Sequence, residues 1–413
     1  MRLLNQEPQV PQTATALATA GSPARGSKCN LGARNTTHIA AYGVHYARLT
    51  GHPDARVRCH LDNESALSNR SVPGRRKTMN LRTLAITVLG ALALGLPASS
   101  KIVGAAETQY LRIATLAPRD SDLAKGFMKL DQGMRKATNN AWSVRLYPSG
   151  VAGDEVDVLR KMKIGQMDAS IITSVGLSQI VRETTLLNTP GVIRDYKGWE
   201  AVRATMTPEW EGAFDKVGYK LLAWGETGQL RMFAKQPLTK PSSVKSMRPW
   251  VWPASSAMKE TWAALGATGV PLGVPEVYGA LQTGMVDVVL NTCVALISLQ
   301  WHSNLKYMTK DANGVLVGAM LMSGPKWKDL PADVQKIVQD EIKRNTQNDV
   351  EDIRKADERS YQILLKRGYT ANEWTGDSMK EFEAMVQTVQ KRLIGRMYTA
   401  EQLDKVKKLA GSK

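Results

Sequence analysis

Beyond residue 105 this chain of 413 residues holds one cysteine and one histidine. That scarcity excludes much. With Cys293 alone no internal disulfide can form there, a zinc site built on several histidines has no ligands, and a Ser–His–Asp or Cys–His centre would have to rest on His302. Following Gln300 and Trp301, that histidine reads as a structural or pocket-edge residue, and Cys293 as a small core side chain. There is no Walker-type phosphate loop and no GxSxG elbow. Long apolar runs are scarce too: the one that stands out, from Leu84 to Pro97, is about fifteen residues, short of the roughly twenty a spanning helix needs. The inventory implies no cofactor and no metal, and the chain is not expected to be an enzyme.

The first 78 residues differ in composition from the rest, with four of the five histidines (His38, His45, His52, His60) and Cys29 and Cys59, but no sustained apolar periodicity. They read as disordered or untranslated. Met79 opens a stretch with a basic start at Arg82, the apolar run, and small residues at Val103 and Ala105 ahead of Ala106, which is the pattern of a signal peptide over residues 79–105. The expected start of the protein is therefore Met79, and its expected location the periplasm; a longer twin-arginine leader through Arg75 and Arg76 fits its flanking residues poorly.

Removing the leader also removes much of the charge. Thirteen of the 55 basic but only four of the 38 acidic residues precede Ala106, so a formal +17 falls to +8. The remaining basic residues are scattered, with no aromatic interleaving and no tail, so nucleic acid is not an expected partner. The three hundred or so residues left suffice for two lobes.

What is present is an α/β pattern. Residues 248–291 read as strand, helix, strand, helix, strand: Trp250 to Trp252 is a short β-prone run closed by Pro253, residues 258–264 are helical in pattern, 270–272 extended, Pro275 sits in a first helical turn, Gly284 ends that helix, and 285–290 is an apolar strand. That is a doubly wound βαβαβ unit. Upstream, YLRIATL (110–116) is a strand, Asp120 or Ser121 caps a helix with Leu123, Phe127, Leu130 and Met134 on one face, residues 144–147 and 169–173 are strands, and 155–164 a helix. Residues 220–225 and 230–235 read as strands across a Gly225 to Gly228 turn. Residues 314–323 are a strand, and 332 to about 366 one long helix with a polar middle.

The run GATGVPLGVPEVYGALQTGMVDVVLN, with EVY-ALQTG-VD in order and spacing, resembles the DctP-type substrate-binding proteins of tripartite ATP-independent periplasmic (TRAP) transporters, and the rest of the chain from Ala106 follows the same family order. The resemblance implies a two-lobed, periplasmic-binding-protein-like α/β fold with a long helix spanning both lobes. The lobes would comprise 106–228 with about 317–355, and 229–316 with about 356–413. It also implies a receptor that captures a small organic ligand, an organic acid with an aromatic or apolar part in one version, and delivers it to membrane permease subunits. A ligand sensor for a membrane receptor kinase on the same fold is the alternative. Oligomeric state is left open.

The resemblance also names site residues. Arg231 falls on the arginine of the family's G-x-R step, where a planar fork suits a carboxylate; a solvated strand arginine is the other reading. Asn291 matches the asparagine closing the family's V-D-G-Q-E-N-P, and its amide can both donate and accept. Where the family writes K-hydrophobic-R-hydrophobic-P, Trp250 stands in place of the clamping arginine. Arg248 lies about 6–7 Å earlier on the same strand face, and only a register shift would bring it in. Trp250 and Trp252 share a side, lining an aromatic cleft wall or simply filling core. Thr173 and Ser174, at a strand's carboxyl end, are either cleft residues or caps of the following turn.

Overall fold

The computed structural model of the chain describes residues 107–412, the side chains of 345–349 excepted. The expected extension over 1–78 and the signal peptide over 79–105 lie outside the described residues. Among the described residues no helix is long and apolar enough to cross a membrane.

The chain opens with β1 (Gln109–Ala114), α1 (Asp122–Ala137), β2 (Trp142–Tyr147), α2 (Glu155–Lys163), β3 (Ala169–Thr173) and the short α3 (Ser174–Leu177). Ser121 caps α1 by accepting the Ala124 N–H at 3.2 Å, and Phe127, Leu130 and Met134 are buried at helical spacing while Leu123 stays exposed. Next come α4 (Tyr196–Lys216) and β4 (Tyr219–Gln229). The turn expected at Gly225 to Gly228 is absent: β4 continues through it for eleven residues, because its one paired edge is held along its length by a partner strand. That partner opposes Glu226 and Gly228 with consecutive residues, so Thr227 is bulged and the strand bends where a turn was read.

After β4 the chain enters a second sheet through β5 (Arg231–Ala234), β6 (Trp250–Val251), α5 (Ser256–Ala264), β7 (Val270–Pro271), α6 (Val274–Thr283), β8 (Val288–Asn291), α7 (Cys293–Ser298) and β9 (Tyr307–Thr309). Gly284 ends α6 at φ 74°, a conformation that favours glycine. The chain returns along β10 (Val315–Ser323) and α8 (Gly324–Asp329) to α9 (Ala332–Lys366), then β11 (Thr370–Asn372), α10 (Asp377–Leu393) and α11 (Ala400–Ala410).

Two sheets result. The first has the order β2-β1-β3-β10-β4, parallel except for β10; the second has the order β11-β9-β5-β8. β6 pairs in parallel with β7, and Pro249 bridges in parallel to Val288, so β6 lies along the free side of β8 as the βαβαβ reading requires. The fold is thus a two-lobed α/β architecture of the periplasmic-binding-protein kind. The long helix α9 serves both lobes: Val334, Val338 and Ile342 pack with Phe127, Leu130 and Met134, whereas Leu364 and Tyr361 join the larger core. The last helix does not stay with the second lobe as expected. Gln402 of α11 donates to Glu183, and Lys405 lies 2.5 Å from Glu209 on α4, so the chain end returns to the first lobe.

With four phenylalanines and ten tryptophans, indoles supply much of the core volume. Trp199 and Trp210 meet Trp224 edge-on at 5.6 and 5.4 Å between ring centroids.

Candidate ligand cleft

Sheet register decides which side chains meet. Arg231 is directly opposite Asn291, and Phe233 opposite Val289. Because Pro249 is paired with Val288, the next residue, Trp250, shares the face of Val289, and alternation then puts Arg231, Asn291 and Trp250 on one face of the second sheet. Arg231 and Asn291 stand at its edge, where β8 ends and the antiparallel β5 begins. In open α/β sheets, ligands bind beyond that edge.

Arg231 is buried, with 7% exposure. Its Nε donates to the Lys310 carbonyl and its Nη2 to the Gln229 side-chain oxygen, both at a long 3.3 Å, and its guanidinium lies 4.8 Å from the centre of the Tyr361 ring. Among the described residues no carboxylate comes within ion-pair distance of it, although Asp357 stands nearby on α9. Asp357 instead accepts the Gln229 N–H at 2.9 Å and the Val294 N–H at 3.1 Å, tying α9 to the end of β4 and the start of α7. Asn291 accepts the Thr292 N–H on its side-chain oxygen at 2.9 Å, and its amide nitrogen can still donate.

Trp250 is core. It is 2% exposed, its indole N–H donates to the Leu272 carbonyl at 2.8 Å, and its ring meets Trp301 edge-on at 5.3 Å and Trp252 at 5.8 Å. The N–H that could have served a ligand is already used. Trp252 is equally engaged, donating its Nε1 hydrogen to Asp154 at 2.8 Å across the cleft. Arg248 does not approach Arg231: it points to water and pairs with Asp287 at 3.0 Å, which also accepts its backbone N–H. No register shift occurs, so the expectation that Arg248 could supply the missing charge is corrected.

In the first lobe, Thr173 and Ser174 stand where β3 ends, and the alternatives separate between them. Thr173 caps α3, its hydroxyl accepting the Val175 N–H at 3.3 Å and donating to Glu155 at 2.9 Å. Ser174 is fully buried and its hydroxyl has no partner among the described residues. Glu155, beneath both, accepts the N–H groups of Thr173 and Gly176 at 2.7 and 2.9 Å; burial nevertheless pushes its carboxyl up to about 8.

The lobes touch at the cleft mouth. Besides Trp252 to Asp154, Gln179 Nε2 donates to the Ala254 carbonyl at 2.8 Å. Burial raises the pKa of Asp154 against the opposing pull of its hydrogen-bond donors. Sequence reasoning missed Asp154 and Tyr361. For Asp154 a local signal was there: the D-E-V-D run, closed by Asp157, is a capping box ahead of an apolar helix face. Cys293 is core as read, its thiol pushed up to about 12 chiefly by burial, and His302 sits beside Arg367 with its pKa lowered by burial and that charge.

Two lobes, a cleft between strand ends and a helix shared by both define a solute-binding protein. The model of the bacterial extracellular solute-binding protein family 7, DctP, matches residues 113–396, and the chain belongs to that family, the TRAP-type receptors. It is 25% identical over 325 residues to the C4-dicarboxylate-binding periplasmic protein DctP of Rhodobacter capsulatus, covering 77% of this chain and 96% of that one. Among solved structures, a TRAP periplasmic solute-binding protein of Shewanella oneidensis with bound succinate superposes with a TM-score of 0.69 at 15% identity, covering 73% of this chain and 99% of that chain. The sugar-acid-binding protein of Advenella mimigardefordensis, in complex with galactonate, gives 0.68 at 15%, covering 74% and 98%.

Proposed function

We propose that this protein is a periplasmic receptor that captures a small organic acid between its lobes and hands it to the membrane permease of a TRAP transporter. The observation that carries the reading is Arg231: a buried guanidinium at the cleft edge, beside Asn291, whose hydrogen bonds are long and go to neutral acceptors. An arginine withdrawn from water without an ion-paired carboxylate is costly, and a ligand carboxylate would supply two parallel charge-assisted bonds. The ligands of the relatives, a C4-dicarboxylate, succinate and galactonate, are of this class.

The rest of the wall argues for one carboxylate rather than two. Trp250 occupies the position of the family's second clamping arginine, with Trp252 and Trp301 packed against it and Arg248 turned away. With no second cation on that side, the rest of the ligand would be uncharged there, and the Ser174 hydroxyl, without a partner among the described residues, would meet it from the first lobe. Contacts from both lobes exist together only in the shut form, so ligand shifts the population toward closure. The chain's part is capture and release, not turnover. We take the lobes as 106–228 with about 317–355, and 229–316 with about 356 onward apart from α11.

The test is a binding titration with a panel of mono- and dicarboxylates. Arg231→Ala should weaken binding of whichever acid binds wild type by at least about thirtyfold, or about 2 kcal/mol or more, whereas Arg248→Ala should leave it within about twofold. Equal affinities in wild type and Arg231→Ala would refute the assignment.

A further inference from the structure

We propose that Asp154 is the latch of the closed cleft, one carboxylate that caps α2 in the first lobe and holds Trp252 of the second; this rests on the capture reading above. Asp154 immediately precedes α2 and accepts the Glu155 N–H at 2.8 Å, while its own N–H donates to Asp157 at 3.3 Å. The same carboxylate reaches across the cleft. It accepts the Trp252 indole N–H at 2.8 Å, and the N–H of Val274, the first residue of α6, lies close enough to draw its pKa down.

The electrostatic reason is that a helix N-terminus carries a partial positive charge and unpaired N–H groups. Closure brings the starts of α2 and α6 together, which would be repulsive and would strand the Trp252 indole. A carboxylate between them turns that repulsion into attraction and satisfies the indole N–H. The backbone is shaped for the approach: a Cβ at Gly273 would lie 3.1 Å from the Asp154 carboxylate, and one at Gly150 would lie 2.9 Å from Pro275 on α6. Gln179, donating to the Ala254 carbonyl at 2.8 Å, is a second strut on the same side. When the lobes part, Asp154 keeps its bond to α2 and only the cross-cleft bonds go to water. The cross-cleft bond therefore favours the closed form, while the bond to α2 belongs to the fold of the first lobe in both forms.

Pulsed electron paramagnetic resonance on the full chain tests this, with spin labels on Ile164→Cys and Met285→Cys, both exposed and one in each lobe, and with Cys29 and Cys59 replaced by serine. Cys293 is buried and stays unlabelled. Distances would be read on the protein as isolated and again after unfolding and refolding to strip small molecules. Trp252→Phe, which keeps a ring but removes the donor, and Asp154→Ala should each lower the closed-to-open ratio about tenfold. Asp157→Ala, which weakens only the α2 capping box, should leave that ratio unchanged while lowering the thermal midpoint. A ratio unmoved by both Trp252→Phe and Asp154→Ala, or moved equally by Asp157→Ala, overturns the latch. Failure of the capture reading looks different: wild type would then give the same distances before and after stripping, whatever the variants do.

Discussion

A guanidinium and a carboxyl, each withdrawn from water without an ion-pair partner among the described residues, define the two sides of the cleft. For Arg231 the partner would arrive as ligand; Glu155 instead shifts its proton equilibrium. Its folded pKa is raised to about 8 by burial, above the ordinary 4.5, so the stability it contributes is fully present below about pH 4.5 and is lost as the pH rises toward 8. Each unit of that shift corresponds to about 1.4 kcal/mol. Melting temperature should therefore fall from pH 5 to pH 8, and Glu155→Gln should flatten the slope; an unchanged slope in the variant would locate the titration elsewhere. Trp250→Ala should cost about 3–5 kcal/mol in a denaturant titration, because the indole is packed on Trp301 and Trp252 with its N–H bonded. Arg231 and Asn291 were legible in the sequence because period-two alternation and strand ends fix a face and an edge. Asp154 was not, because its cross-cleft partners, Trp252 and Val274, are far away in the chain and no local pattern joins them.

At the scale of elements, α9 binds the lobes together. Arg354 reaches back to Glu226 in β4 at 2.6 Å and to Glu200 in α4 at 2.6 Å, and lies over the Tyr196 ring; the Glu226 side chain is 1% exposed. Removing Arg354 leaves that carboxylate buried and uncompensated, so Arg354→Met should destabilise by about 3 kcal/mol in chemical denaturation, at the low end for a buried pair because Arg354 keeps some contact with water. Gly228 is the second sensitive point. Its φ of +137° is strained for any other residue, and a Cβ there would lie 2.5 Å from the carboxyl carbon of Asp357 on the long helix. The helix was readable almost to the residue, since its apolar stripes and its lack of Gly and Pro are local properties. β4 was misread because Gly225 and Gly228 carry turn chemistry locally, while the pairing that overrides it comes from β10, some ninety residues later.

At the scale of the molecule, the family resemblance and the βαβαβ pattern established two lobes. The way the chain end crosses back through α11 did not show, because an amphipathic helix names its buried face and not its partner. The central claim is that the cleft receives a carboxylate at Arg231. Native mass spectrometry of the protein purified from its own host tests it most directly. The account predicts a co-purifying small molecule that bears a carboxylate and is absent from Arg231→Ala. A neutral or cationic molecule retained by Arg231→Ala would contradict it.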